Sequence, residues 1–107
     1  MQRIGMTWNV SPEHWDAYKA IHLNPWPELI TAIQAAGIHN YSIFAFGTRV
    51  FAYMEIEGED VYAALNAVAQ TDIKQKWDAE VTTWVMPEAV DGTGIQFIQL
   101  EPIFFCP

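Results

Sequence analysis

Apolar residues that alternate with a period of two, give way to helical spacing, then alternate twice more predict an α+β fold. The expected order is strand, helix, strand, strand, helix, strand, the split βαβ or ferredoxin-like arrangement. Ile4, Met6, Trp8 and Val10 lie on one face of an opening strand. Two runs rich in aromatic and β-branched residues, 38–46 and 50–56, flank Gly47-Thr48 and read as a hairpin. Helix-start signals stand on either side of that hairpin, at Ser11-Pro12-Glu13, Pro27-Glu28, Glu59-Asp60 and Thr71-Asp72.

The opening strand, 4–10, has Gly5, Thr7 and Asn9 on its second face, with Arg3 just before it. Ser11 then reads as an N-cap, Pro12 as the first helical residue and Glu13 as a first-turn acid. This helix is expected to reach about His22. Asn24-Pro25 breaks it, because the residue before a proline leaves the α region. Pro27-Glu28 begins a second piece with Leu29, Ile30 and Ile33 as its apolar face and Gly37 as a left-handed terminator. In the second hairpin strand, Val50, Ala52, Met54 and Ile56 oppose Arg49, Phe51, Tyr53 and Glu55. Gly58 closes it, and Glu59-Asp60 opens a helix to about Ala69. Thr71 or Asp72 caps a further helix, roughly 73–85, that stops before Pro87. Ala89 to Gly94 reads as a loop turning at Asp91-Gly92, and Ile95 to Phe105 as a final extended segment.

The length of 107 residues fits one domain, 1–107, with 51% hydrophobic residues to fill its core. Helices on one face of the sheet leave the other face bare and rich in aromatics, so that face must be covered. Two copies pressing their sheets together, a dimeric α+β barrel, would cover it. Five tryptophans exceed the needs of a small core, since indole is bulky and its N–H wants a partner. Some of these rings are expected in a pocket or an interface.

Net charge is −8, from 13 acidic and five basic residues with no basic cluster. Nucleic-acid binding and an acidic membrane surface are therefore set aside. No apolar run approaches the roughly 18 residues of a membrane span, and the N-terminus alternates rather than forming a leader. A cytoplasmic protein is expected. Cys106 is the single cysteine, and no activating base neighbours it in sequence, so it reads as an incidental thiol. His14, His22 and His39 show no metal-ligand spacing. The scattered glycines form no phosphate loop, and there is no nucleophile elbow. What remains is cofactor-free proton transfer, or plain binding.

The stretch YKAIHLNPWPEL, 18–29, is the most chemically suggestive. Tyr18 and His22, four apart on a helix, share a face. Trp26 adds a flat apolar surface at the proline-bounded break. Read alone, His22 is more often a surface histidine favoured by the helix dipole. Imidazole also suits both giving and taking a proton near neutrality. His39 and Tyr41 are expected on one strand face with Asn40 on the other; Tyr41 is either a core aromatic or a hydroxyl that reads sugar oxygens. Among Thr71, Asp72, Gln75, Lys76, Trp77 and Asp78, Gln75 and Lys76 read as a solvated helix face, while Trp77 suits stacking on a sugar ring.

These pieces together resemble the L-rhamnose mutarotase family. The matching segments are Tyr18-x-x-x-His22, Trp26-Pro27-Glu28-Leu29, Gly37 to Ile43, Thr71-Asp72-Ile73 with Gln75 and Trp77, Val85-Met86-Pro87, and the Phe104-Phe105-Cys106-Pro107 ending. The resemblance spans essentially the whole chain. It implies a ferredoxin-like homodimer without cofactor or metal that interconverts the α and β anomers of L-rhamnose or a similar 6-deoxy sugar. It places the proton donor at His22, sugar-binding tyrosines at Tyr18 and Tyr41, and the binding tryptophan at Trp77. Two positions depart from the pattern. Leu23 follows His22 where the family has Asn, and Asp78 stands where it has a second Trp. A carboxylate at that wall can bind a different hydroxyl, so L-fucose or another deoxyhexose enters the range.

Anomer exchange opens the ring to the aldehyde, rotates it about C1–C2 and closes it on the other carbonyl face. The expected roles are His22 as an imidazolium that protonates the ring oxygen, and Tyr18, or a water held by Tyr18 and Tyr41, as the opposing base. Trp77 and Trp26 would hold the apolar sugar face and the C6 methyl, unless Trp26 simply packs the helix break, with Asp78 as a further sugar contact. Two other readings stay open: a small cofactor-free monooxygenase of the dimeric α+β barrel group, and a non-catalytic sugar-binding module.

Overall fold

Eight of the nine residues from Gln2 to Val10 pair in register with the antiparallel strand Arg49–Ile56, from Gln2 opposite Ile56 to Asn9 opposite Arg49. These are strands β1 and β3 of a computed structural model that describes residues 1–87 and 97–107. Between them lie helices α1 (Trp15–Leu23) and α2 (Pro27–Ala35) and strand β2 (Ile38–Phe46). Helices α3 (Val61–Ala69) and α4 (Asp72–Val81) follow, then strands β4 (Val85–Met86) and β5 (Ile98–Gln99). The sheet order is β2-β3-β1-β4, the ferredoxin-like order, with β5 also on β1.

Local signals set most of the boundaries. Asp60 accepts from the Ala63 N–H at 3.0 Å and so caps α3, and Thr71 accepts from the Lys74 N–H to cap α4. Gly37, with φ of 81°, supplies the left-handed residue just after α2. Gly47, with φ of 62°, does the same in the two-residue turn of the β2–β3 hairpin.

Three expectations are corrected. Ser11-Pro12 starts a 3-10 turn, Pro12–His14, rather than the α-helix, and Ser11 makes no side-chain cap. The helix expected over roughly 73–85 ends at Val81, and a 3-10 turn, Thr82–Trp84, leads into β4. There Thr82 and Thr83 turn their hydroxyls back onto the carbonyls of Asp78 and Glu80, each at 2.5 Å, which competes with continued helix. Of the final extended segment expected over 95–105, residues 95 and 96 lie outside the described residues, and the rest is strand at Ile98–Gln99 alone. Val85–Met86 pairs with Val10 and Asn9, and Ile98–Gln99 with Thr7 and Met6, so two short pieces share the β1 edge that β3 leaves open. The loop expected at Ala89 to Gly94 lies outside the described residues.

The alternation in β1 and β3 points Ile4, Trp8, Val10, Val50, Ala52, Met54 and Ile56 at the helices, where all are buried. Two core clusters result, one around Trp8, Tyr18 and Trp77 and one around Ile38, Ile56 and Val68, with half-buried Met6 and Ile33 packing against both. The opposite face carries Phe44, Phe51 and Phe46, the last 84% exposed. The C-terminal segment crosses part of it. The Arg3 guanidinium lies 3.3 Å from the centre of the Phe105 ring, and Leu100 lies over Gly5.

Candidate active site

On α1, Tyr18 and His22 do share a face, and their rings lie 4.2 Å apart. Tyr18 is only 3% exposed, and its hydroxyl oxygen accepts the Trp8 indole N–H at 2.8 Å. Burial pushes the phenol up to about 12, with the Trp8 hydrogen bond pulling slightly the other way. Tyr18 therefore keeps its proton at neutral pH, a state that suits donating a hydrogen bond better than the opposing-base role expected from sequence.

The His22 ring nitrogen Nδ1 lies 2.7 Å from the carbonyl oxygen of Tyr18. A carbonyl only accepts, so Nδ1 carries the hydrogen and donates it along the helix. In the neutral ring Nε2 is then the lone-pair nitrogen. Burial lowers the His22 pKa below its ordinary 6.5, against the smaller upward effect of that carbonyl. The resting imidazole is thus neutral at pH 7, a proton acceptor at Nε2.

Tyr41 reaches the same place by a route the sequence periodicity does not show. Between His39 and Ser42 the β2–β3 register slips by one residue, because His39 faces Glu55 but Ser42 faces Tyr53. The extra residue is Asn40, at φ of 48°, whose side-chain amide donates to Glu55 Oε1 at 2.7 Å. This β-bulge rotates Tyr41 onto the helix-facing side with Ile38 and Ile43. His39 stays on the other face, 3.4 Å from the Glu57 carboxylate. The expectation that His39 and Tyr41 share a face is therefore wrong. Tyr41 is 38% exposed as a residue, while its hydroxyl is deeply buried. Burial holds that hydroxyl well above the usual phenol range, and Tyr18 and Asp78 nearby add to the effect.

Tyr18, His22, Tyr41, Trp77 and Asp78 converge on an inner pocket of about 250 Å³ between the sheet and the helices. A wider groove of about 950 Å³ runs along α1, α2 and the edge strand β2, and shares Tyr18, His22, Tyr41 and Trp77 with the pocket. We take the inner pocket as the chemical site, since every candidate but Trp26 meets there, and the groove as its mouth. The buried Trp77 ring presents an edge-on contact to His22 at 5.2 Å. Trp26 lines neither cavity. It packs edge to face on Trp77 at 5.2 Å, which favours the packing role left open for it over a place against the sugar.

Sequence reasoning missed two residues here. Trp8, ten positions from Tyr18, holds the phenol. Lys74 lines both cavities and pairs with Asp78 through Oδ1; its i,i+4 spacing from Asp78 was the available signal. Among the described residues no three His, Cys, Asp or Glu side chains come together to hold a metal ion. Cys106 is exposed, and no helix is long and apolar enough to cross a membrane.

Comparison with known proteins bears on this geometry. The family model for L-rhamnose mutarotase matches residues 3–106. An L-rhamnose mutarotase from Shigella flexneri serotype 5b (strain 8401) is 35% identical over 109 aligned positions, covering all of both chains. The crystal structure of L-rhamnose mutarotase FA22100 from Formosa agariphila superposes with a TM-score of 0.75 over all of both chains, at 24% identity. An antibiotic biosynthesis monooxygenase also superposes, with a TM-score of 0.61 over 96% of this chain and 99% of the other, at 15% identity, a likeness of fold alone. The chain belongs to the L-rhamnose mutarotase family and is a sugar mutarotase, an isomerase.

Proposed function

We propose that the protein interconverts the α and β anomers of L-rhamnose or a related 6-deoxyhexose in the inner pocket, with His22 moving the proton at the anomeric oxygen. The observation that carries this is the 2.7 Å contact between His22 Nδ1 and the Tyr18 carbonyl, which leaves the lone pair at Nε2 and supports that nitrogen as the acceptor. The direction differs from the imidazolium donor expected from sequence, because the buried ring rests neutral.

Ring opening moves one proton from the anomeric hydroxyl to the ring oxygen. Nε2 of His22 takes the first as the C–O ring bond breaks, and a protonated phenol, Tyr18 or Tyr41, supplies the second. After rotation about C1–C2 the phenol recovers its proton, and His22 returns the other to the new anomeric oxygen. No covalent intermediate forms. Placed acid–base groups of this kind are worth roughly 10²–10⁴ in rate, which suits a reaction already proceeding in water. Trp77 offers an apolar surface for the sugar face, backed by Trp26. Saturation transfer between the α and β anomeric proton signals of L-rhamnose, present only with protein, tests this. No transfer with any deoxyhexose would overturn it.

The exposed Phe44, Phe46 and Phe51 support a homodimer in which two sheets press these faces together. The lone exposed thiol of Cys106 suits a reducing compartment, which supports the cytoplasm.

A further inference from the structure

The Lys74–Asp78 pair occupies an unusual place for an i,i+4 ion pair. Both side chains line the inner pocket, at 29% and 34% exposure, rather than standing on a solvated face. Among the described residues of that pocket, Asp78 is the one carboxylate and Lys74 the one ammonium. Around them the wall is apolar or aromatic, including Met6, Ile43, Trp77 and Phe97. Lys74 engages Oδ1 of Asp78, which leaves Oδ2 to accept a hydrogen bond. The ammonium has three hydrogens and directs one at Asp78.

We propose that Lys74 and Asp78 together read two adjacent ring hydroxyls of the bound sugar, Asp78 Oδ2 accepting from one and Lys74 Nζ donating to the other, and so set which sugar the pocket prefers. This rests on the mutarotase reading above and deepens it. The pair is neutral as a unit, so it selects a neutral polyol. An acidic sugar would meet the Asp78 charge in a chain of net charge −8. A C6 methyl has nothing to offer the pair and belongs against the apolar wall. Asp78 also acts on the Tyr41 hydroxyl, which puts the carboxylate within electrostatic reach of a group at the pocket's deep end. As a mere surface pair, Lys74–Asp78 would contribute little to the helix and nothing to sugar choice.

Anomeric exchange rates measured against concentration for L-rhamnose and L-fucose, which differ in hydroxyl configuration, test this on wild type, Asp78→Asn, Lys74→Met and Lys74→Arg. Asp78→Asn and Lys74→Met are each expected to raise the half-saturating concentration of the preferred sugar about tenfold, the loss of one hydrogen bond to a charged group. The change should fall mainly on the half-saturating concentration rather than on turnover, because neither side chain itself transfers a proton. The preference between the two sugars should shrink toward unity, and Lys74→Arg, which keeps a donor, should retain most of it. Two results would overturn the proposal: unchanged half-saturation and preference, which makes the pair a solvated helix contact, or an equal loss of turnover for both sugars with half-saturation unchanged, which makes it part of proton transfer. Wild type that accelerates neither sugar would bring down the underlying mutarotase reading, and the proposal with it.

Discussion

Substituting Tyr18 by Phe removes one oxygen from a site that is otherwise closed around it. The Trp8 indole N–H, on a residue 4% exposed, gives its hydrogen to that oxygen at 2.8 Å. Phenylalanine fills nearly the same volume, so packing is kept and the cost is the stranded N–H. An unsatisfied buried donor costs about 1–3 kcal/mol. Both rings also line the inner pocket rather than a solid core, so the low half of that range applies, about 1–2 kcal/mol. At about 5 °C per kcal/mol for a chain of this size, the melting temperature should fall by about 5–10 °C. The pair Trp8→Phe with Tyr18→Phe supplies the control. It leaves no donor stranded, so against Trp8→Phe alone the second substitution should cost less than Tyr18→Phe costs in wild type. Circular-dichroism melts of the four proteins measure both quantities. A Tyr18→Phe protein melting within about 2 °C of wild type would refute the reasoning, because the Trp8 N–H would then need no partner from Tyr18. The same variant should keep its fold below the melt yet bind sugar more weakly, since the hydroxyl offered to the substrate is gone.

His22→Gln keeps bulk and polarity but cannot cycle a proton. Anomer exchange should fall by about 10²–10⁴ while the melt is little changed; exchange within twofold of wild type would exclude His22 from the chemistry. In wild type, exchange should decline as pH falls through the His22 pKa, which burial places below 6.5, and a midpoint above 6.5 would contradict the neutral resting ring. The unfolded chain takes up this proton first, so stability is full above 6.5, drops as pH falls below it, and levels off under the folded value. At the bulge, Asn40→Gly should stay close to Asn40→Ala or better in stability, while Asn40→Val should cost about 1–2 kcal/mol more than Gly, because φ of 48° suits no β-branched residue; equal melts for Gly and Val would argue against the bulge. Phe44→Asp with Phe46→Asp should convert a species of twice the chain mass, read by light scattering, into monomer, and an unchanged mass would move the interface elsewhere.

The elements that announced themselves in the sequence did so through residues with local work to do. Gly37 and Gly47 terminate or turn the chain at positive φ, and Asp60 and Thr71 cap by side-chain oxygens three residues ahead of their N–H partners. Such signals need no knowledge of the rest of the fold. The alternation of β1 and β3 was equally legible, because each has one face against the helices. Asn40 was not legible, since a period of two assumes no inserted residue, and one insertion exchanges the faces of everything after it. The spacing of Ile38, Tyr41 and Ile43, three and then two, with Asn at the break, was the trace it left. β4 and β5, two residues each, are too short to have a period at all. Trp26 stayed undecided for a different reason. A tryptophan between prolines stands at a turn, but which way the turn points it depends on α4, and there it meets the back of Trp77.

One physical cause equips this pocket for both halves of a proton relay. Burial disfavours whichever form of a group is charged. For His22 the charged form is the protonated one, so burial empties Nε2. For Tyr18 and Tyr41 it is the deprotonated one, so burial keeps both phenols loaded. In the proposed mechanism an acceptor and two donors are therefore ready at neutral pH in a single small space before any substrate arrives, with the Asp78 charge adding to the effect at Tyr41. Ring opening and ring closure are the same exchange run in opposite directions, so a site of this kind needs no step that resets it between turnovers. The Trp8 indole and the Tyr18 carbonyl matter in this arrangement because they fix orientation: the first holds the phenol in place, and the second decides which imidazole nitrogen is left open.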